Sequence, residues 1–170
     1  MKFGNIKIIF CLVTLAAVLA GCGSGGGGSS SGGTSSTTAT QAVVTINTEE
    51  SGTVSSLPII GIEVTLALPP GVTVSADASG QTESGIVKAS GVATGASTIG
   101  NYTPATATTP GTVKIVVIKS TGFGAGEFVT VTCNRNGASF SPADFSLSDF
   151  KAVDHYGITI TGLALTHTVH

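Results

Sequence analysis

Tryptophan is absent from this 170-residue chain, tyrosine occurs only at Tyr102 and Tyr156, and aromatic residues make up 5% of the whole. Sugar rings stack on Trp or Tyr faces, so an extended glycan platform is excluded and Tyr102 and Tyr156 are the two candidate ligand-surface aromatics. Charge is equally sparse, with Asp, Glu, Lys and Arg together at 9%. Leaving out Lys2 and Lys7, five basic residues (Lys88, Lys114, Lys119, Arg135, Lys151) stand against nine acidic ones, a formal −4. No basic cluster exists to neutralise phosphates, which argues against nucleic acid as a partner. No long stretch keeps a 3.6-residue apolar period, so the chain does not read as helical.

Catalytic constellations are missing as well. There is no Gly-x-Ser-x-Gly nucleophile elbow and no Cys/His pair at metal-ligand spacing. Gly122, Gly124 and Gly126 form a glycine-rich run, but a phosphate loop needs a helix N-terminus behind it, and here a strand pattern follows. Asp144, Asp149 and Asp154 recur every five residues, unlike the alternate-residue ligands of a calcium loop. Solvated turn carboxylates are the expectation, with a weak calcium site as the alternative. His155 falls in the turn Asp154–Gly157, where exposure is expected, and His167 and His170 lie in or after the last strand pattern. The expectation is a non-catalytic domain with no cofactor and no metal.

What is present begins at the N-terminus. Lys2 and Lys7 form a basic region and Ile8–Leu19 an apolar one, too short for the roughly 20 apolar residues of a transmembrane span. Leu19-Ala20-Gly21-Cys22 then closes it. This pattern resembles the lipobox of bacterial lipoproteins. The resemblance implies cleavage between Gly21 and Cys22, removal of residues 1–21 and acylation of Cys22, which would bind the chain to the lipid bilayer. Two or three acyl chains hold durably where one does not, at about 0.8 kcal/mol per buried CH₂. Gly23 stands where many proteobacterial lipoproteins carry an inner-membrane retention Asp, so the resemblance implies an outer-membrane location. With Cys11 in the removed segment and Cys22 acylated, Cys133 is left alone and cannot form an internal disulfide.

Residues 22–40 are the lipidated cysteine followed by Gly, Ser, Thr and Ala only. Such a segment cannot bury enough surface to offset its ordering entropy, and as an 18-residue Gly/Ser coil its reach is roughly 20–25 Å. Residues 41–170 have the size of one domain and read as β throughout. Ile60, Ile62, Val64, Leu66 and Leu68 alternate with Gly61, Glu63, Thr65 and Ala67, the two-residue period of a half-buried strand. Pro69-Pro70-Gly71 ends it. Val72–Ser75 restarts the alternation, and Val113–Ile118 is apolar on both faces, as in a central strand. Phe128–Cys133 places Val129, Val131 and Cys133 on one face. Ile158 and Ile160 share a face, and the phase shifts across Gly162 to Leu163, Leu165, His167 and Val169, as a bulge there would produce. Asn101-Tyr102-Thr103, a glycosylation-type triplet, reads as loop. Ser141-Pro142-Ala143-Asp144 is the one candidate helical turn. Short strands between turn signals on one core predict an all-β, jelly-roll-type sandwich, with Val64, Leu66, Ile115, Val117, Val129 and Val131 inward.

Three stretches carry a further resemblance: Gly61–Leu68 with the following Pro-Pro-Gly-Val, Gly122–Val131, and Ala143–Leu147 through Ala152–Asp154 with Gly157-Ile158. Together they resemble the early strand and turn, the glycine turn and core strand, and the closing hairpin of cohesin domains, which are related to some carbohydrate-binding modules. The early turn departs from the Tyr/Phe-Asp-Pro start usual in cohesins. The resemblance implies a jelly-roll sandwich and a dockerin-like protein partner, with a carbohydrate-binding module or a structural envelope lipoprotein as alternatives.

Overall fold

The computed structural model describes residues 40–170; the signal pattern, the Gly21–Cys22 junction, acylated Cys22 and residues 23–39 of the linker lie outside the described residues. Eight strands run β1 (Gln41–Glu50), β2 (Ile59–Leu68), β3 (Val87–Ala89), β4 (Ser97–Thr103), β5 (Gly111–Phe123), β6 (Gly126–Asn134), β7 (Ser146–Val153) and β8 (Leu163–Val169). They form two four-stranded sheets, β3-β6-β1-β8 and β4-β5-β2-β7. The pairs β4·β5, β3·β6, β2·β7 and β1·β8 are all antiparallel. They nest outward from the middle of the sequence like one long rolled hairpin, the wrapping of a jelly roll. Only 3₁₀ turns interrupt the strands, at Gly91–Ala93 and Pro142–Asp144. In the second, the Ser141 and Asp144 side chains cap one another's backbone, so the turn expected there is present.

The core lies between the sheets. Val64, Leu66, Ile115, Val117, Val129 and Val131 are all fully buried, because strict alternation on β2, β5 and β6 points one side of each strand inward. Cys133 is buried with them. β5 lies between β4 and β2, as its apolar run implies.

The phase fails at three bulges. At the start of β2 the pairing slips between Ile59·Phe123 and Gly61·Ile118, so Ile59 is buried and Ile60 turns half out, reversing the expected order. On β6 the register jumps from Ile46·Val129 to Asn47·Glu127. Phe128 becomes the extra residue, and both Phe128 and Val129 face the core. On β7 the slip surrounds Asp149, which takes a positive φ of 52°.

Gly162 marks something larger than the expected bulge. Ile160 donates its N–H to Ala152 of β7, whereas Leu163 pairs with Glu50 of β1, so the chain changes sheets there. Gly162 has φ +82°, and a Cβ would run into the Thr53 carbonyl. Ile158 and Ile160 do not share a face either: Ile160 is buried while Ile158 is 62% exposed, because Ile158 sits in the turn closed by Asp154. Val72 and Val74 are buried as the alternation requires, but the segment's backbone pairs with β6 at a single bridge, Thr73·Asn134, beside which Asn134 Nδ2 donates to Ser75 Oγ.

A candidate binding face

The two outer faces of the sandwich differ in chemistry. On the β3-β6-β1-β8 sheet, Thr45 pairs with Thr130 on one side and Thr168 on the other, and Asn47 pairs with Thr166. That face is rich in hydroxyls, with Lys88 opposite Thr130 and Glu49 opposite Ala164 adding charge.

On the β4-β5-β2-β7 sheet, one row across the strands reads Ile99, Val116, Glu63, Lys151. The next reads Ser97, Ile118, Gly61, Val153. Ile99 and Ile118 are 53% and 48% exposed, and Val116 and Val153 are partly exposed beside them. Their outward direction follows from parity: Val113, Ile115 and Val117 face the core, so Lys114, Val116 and Ile118 must face solvent. Gly61 lowers the centre of the patch, for a Cβ there would press on Val153 Cγ2 at 3.2 Å. Gly61, Glu63, Val116, Ile118, Lys151 and Val153 line a shallow dish. At its rim Lys114 Nζ lies 2.9 Å from Glu63 Oε1, and Lys151 stands opposite Glu63 on β7. Both partners of the ion pair are about half exposed, so it adds at most about 0–1 kcal/mol to the fold. Its effect is to hold two charges flat at the border of an apolar area.

The sequence-predicted ligand aromatics part company. Tyr102 is not on the surface: it is an inward residue of β4 with 9% exposure and belongs to the core. Burial raises its hydroxyl pKa, and Cys133 nearby adds to the effect. The Asn101–Thr103 triplet read as loop is therefore strand. What buries it is the segment at Gly80–Thr82, which bonds to Tyr102 N–H and to Gly100 O. Tyr156 is 76% exposed at the opposite end of the sandwich, tilted against His155 at 3.6 Å between ring centroids. The two tyrosines do not form a platform.

The carboxylates proposed as calcium ligands are likewise dispersed, and no cluster of three or more His, Cys, Asp or Glu suited to a metal occurs among the described residues. Asp144 caps the 3₁₀ turn through Ser141. Asp149 occupies the β7 bulge. Asp154 is buried and accepts from Tyr156 N–H, Ile158 N–H and Ser56 Oγ. Burial pushes its pKa up, but the Ile158 and Tyr156 N–H groups, the Ser56 hydroxyl and the neighbouring His155 outweigh that and hold it below the usual value. The carboxylate thus builds a turn, and that turn displays Tyr156 and Ile158. An open groove beside Asp77, Asn101 and Thr103 offers little chemistry of its own, because Asp77 is engaged by Ser79 and Gln81 within its own turn.

No protein-family model matches this chain, and no curated protein matches it. A solved structure of a non-cellulosomal cohesin from the hyperthermophilic archaeon Archaeoglobus fulgidus is similar to it at 14% sequence identity and a TM-score of 0.41. That similarity covers 68% of this chain and 66% of the cohesin chain.

Proposed function

We propose that this chain is a non-catalytic, protein-binding module tethered to the cell envelope by acylated Cys22, and that the outer face of the β4-β5-β2-β7 sheet is its contact surface. The observation that carries this reading is the Ile99, Val116, Ile118 and Val153 patch around the Gly61 dip, bordered by Lys114, Glu63 and Lys151. An apolar centre with a charged rim has the anatomy of a protein interface. One face of a domain this size is enough for the roughly 800 Å² per partner of a standard interface. Two lysines around one glutamate favour a partner with carboxylates at its own rim. A dockerin-like protein fits this description. The carbohydrate alternative is weakened by the burial of Tyr102, which leaves Tyr156 as the exposed tyrosine.

The anchor reading rests on Leu19-Ala20-Gly21-Cys22, and the proposed outer-membrane location on Gly23 in place of a retention Asp. Replacing Cys22 with Ala should abolish fatty-acid labelling and signal processing; labelling that persists in Cys22→Ala would defeat it. For the binding face, the full chain should capture a protein from the producing organism, and Ile99→Glu with Ile118→Glu should abolish capture while Tyr156→Ala retains it. Capture lost with Tyr156→Ala and kept in the double variant would move the site to the loop end. Micromolar polysaccharide binding lost with Tyr156→Ala would favour the carbohydrate reading.

A further inference from the structure

A sandwich of two four-stranded sheets has four edge strands, and an exposed edge is a template for another strand unless something blocks it. Three of the four are blocked here. β3 is three residues long, and its Val87 carbonyl accepts from Thr98 Oγ1. β4 is covered by the preceding segment, with Thr82 N–H on Gly100 O at 3.0 Å and Tyr102 N–H on Gly80 O at 2.6 Å. β7 is bulged at Asp149 in its lower half and covered in its upper half by Thr159 and Ile160 returning along it.

β8 is not shortened, bulged or paired on its outer side. The Pro142–Asp144 turn lies against it through the Pro142 carbonyl, 3.0 Å from His167 Nε2, and that contact is to the His167 ring rather than to the β8 backbone. Its pairing with β1 fixes which backbone groups are free. Val43 and His170 exchange both N–H···O bonds, and Ser51 N–H bonds to Gly162 O. In an antiparallel ladder bonded pairs alternate, so Ala164, Thr166 and Thr168 turn their backbone groups to β1. Leu163, Leu165, His167 and Val169 turn theirs outward, where no other described strand pairs with them. The strand Leu163–Val169 carries no Asp, Glu, Lys, Arg or Pro, the residues that ordinarily discourage edge pairing.

We infer that β8 is a dimerisation edge whose occupant is β8 of a second copy, antiparallel and centred on Thr166. Only that register matches all four outward residues: Leu163 opposite the second copy's Val169 and Leu165 opposite its His167, each twice, giving about eight backbone bonds. Side chains agree with the backbone. Aliphatic meets aliphatic at 163·169, Ala164 meets Thr168, and Thr166 meets itself, a Thr–Thr pair of the kind that stabilises sheets. β8 itself brings no charged side chain to the seam; the charge nearest its centre is the Glu49 carboxylate, which accepts from Thr166 Oγ1 at 3.0 Å. The two β3-β6-β1-β8 sheets become one continuous sheet, leaving both β4-β5-β2-β7 faces free.

Thr166 would form a non-bonded pair with its own copy, with Cα atoms about 4.5 Å apart, within the roughly 4.4–6.8 Å span of a disulfide. In the full chain purified in detergent, Thr166→Cys should give a disulfide-linked dimer well above the background of the parent chain. Ala164→Cys and Thr168→Cys alone should stay near that background, and mixing the two should restore cross-linking. Leu165→Pro removes an outward N–H, leaving the β1 pairing intact, together with a side chain packed at the edge of the core; it should convert the parent dimer to monomer in light scattering with the circular dichroism spectrum retained. Should that variant unfold, Thr166→Glu, which sets two carboxylates face to face beside each copy's Glu49, provides the same readout. A monomeric parent at about 100 μM, or equal cross-linking at all three positions, overturns the proposal.

Discussion

At the scale of single residues, Cys133 and Asp154 show how surroundings fix chemistry. Cys133 is fully buried, and that burial pushes its thiol up to about 12, so at neutral pH it holds almost no thiolate, the reactive form. It should label slowly in native buffer and rapidly in denaturant; fast native labelling would show that the β6 phase is wrong. Leu66 is fully buried, and Leu66→Ala should cost about 2–5 kcal/mol in chemical denaturation. Asp154 has a folded-state pKa below its ordinary 3.8. Its contribution is therefore fully present above the unfolded value and is lost as pH falls through the folded one. Asp154→Asn should lower the thermal midpoint at neutral pH, and the gap to the parent should close below about pH 4; a constant gap would remove the charge from the account. The inward set on β2, β5 and β6 was legible because alternation alone decides it. Tyr102 was not, since its burial depends on a segment some 20 residues upstream folding back over β4. No local pattern around Asn101–Thr103 carries that information.

At the scale of elements, strands and turns could be read, but their partners could not. Pro69-Pro70-Gly71 ends β2 and the Gly122–Gly126 run separates β5 from β6, as their backbone preferences require. Yet β5 and β6 lie in different sheets, so that glycine run is a crossing between layers. The pairing of β1 with β8 joins residues more than a hundred positions apart, which no short-range period reports. Gly162 illustrates the same limit: the phase shift was visible, but its cause is a change of sheet. Gly162→Ala would force a side chain into a positive-φ site against the Thr53 carbonyl and should destabilise the fold by more than about 1 kcal/mol. A neutral result would mean that the loop holding Thr53 can move aside. Gly100 has a comparable role at the opposite seam, where a Cβ would run into Thr82 and Val87 and wedge β4 away from β3.

At the scale of the whole molecule, both described ends of the chain lie at one pole: Val43 bonds to His170, and Arg135 N–H bonds to Thr40 O. The exposed tip at Leu57, Tyr156 and Ile158 lies at the other, beyond Glu50 and Leu163. The described chain therefore enters the sandwich at Thr40, at the pole away from that tip. Only the register shows that Ile99, Val116, Ile118 and Val153 gather at one half of the β4-β5-β2-β7 face, whose other half carries Thr65, Thr103, Thr112, Ser146 and Ser148. The most direct test of that patch is site-specific photo-cross-linking in the producing cells. A photoreactive residue at Ile118 or Ile99 should trap a discrete protein partner, and one at Thr130 on the opposite sheet should trap none. Equal cross-linking from both faces, or partners trapped from Thr130 alone, would contradict the assignment of the β4-β5-β2-β7 face as the binding surface.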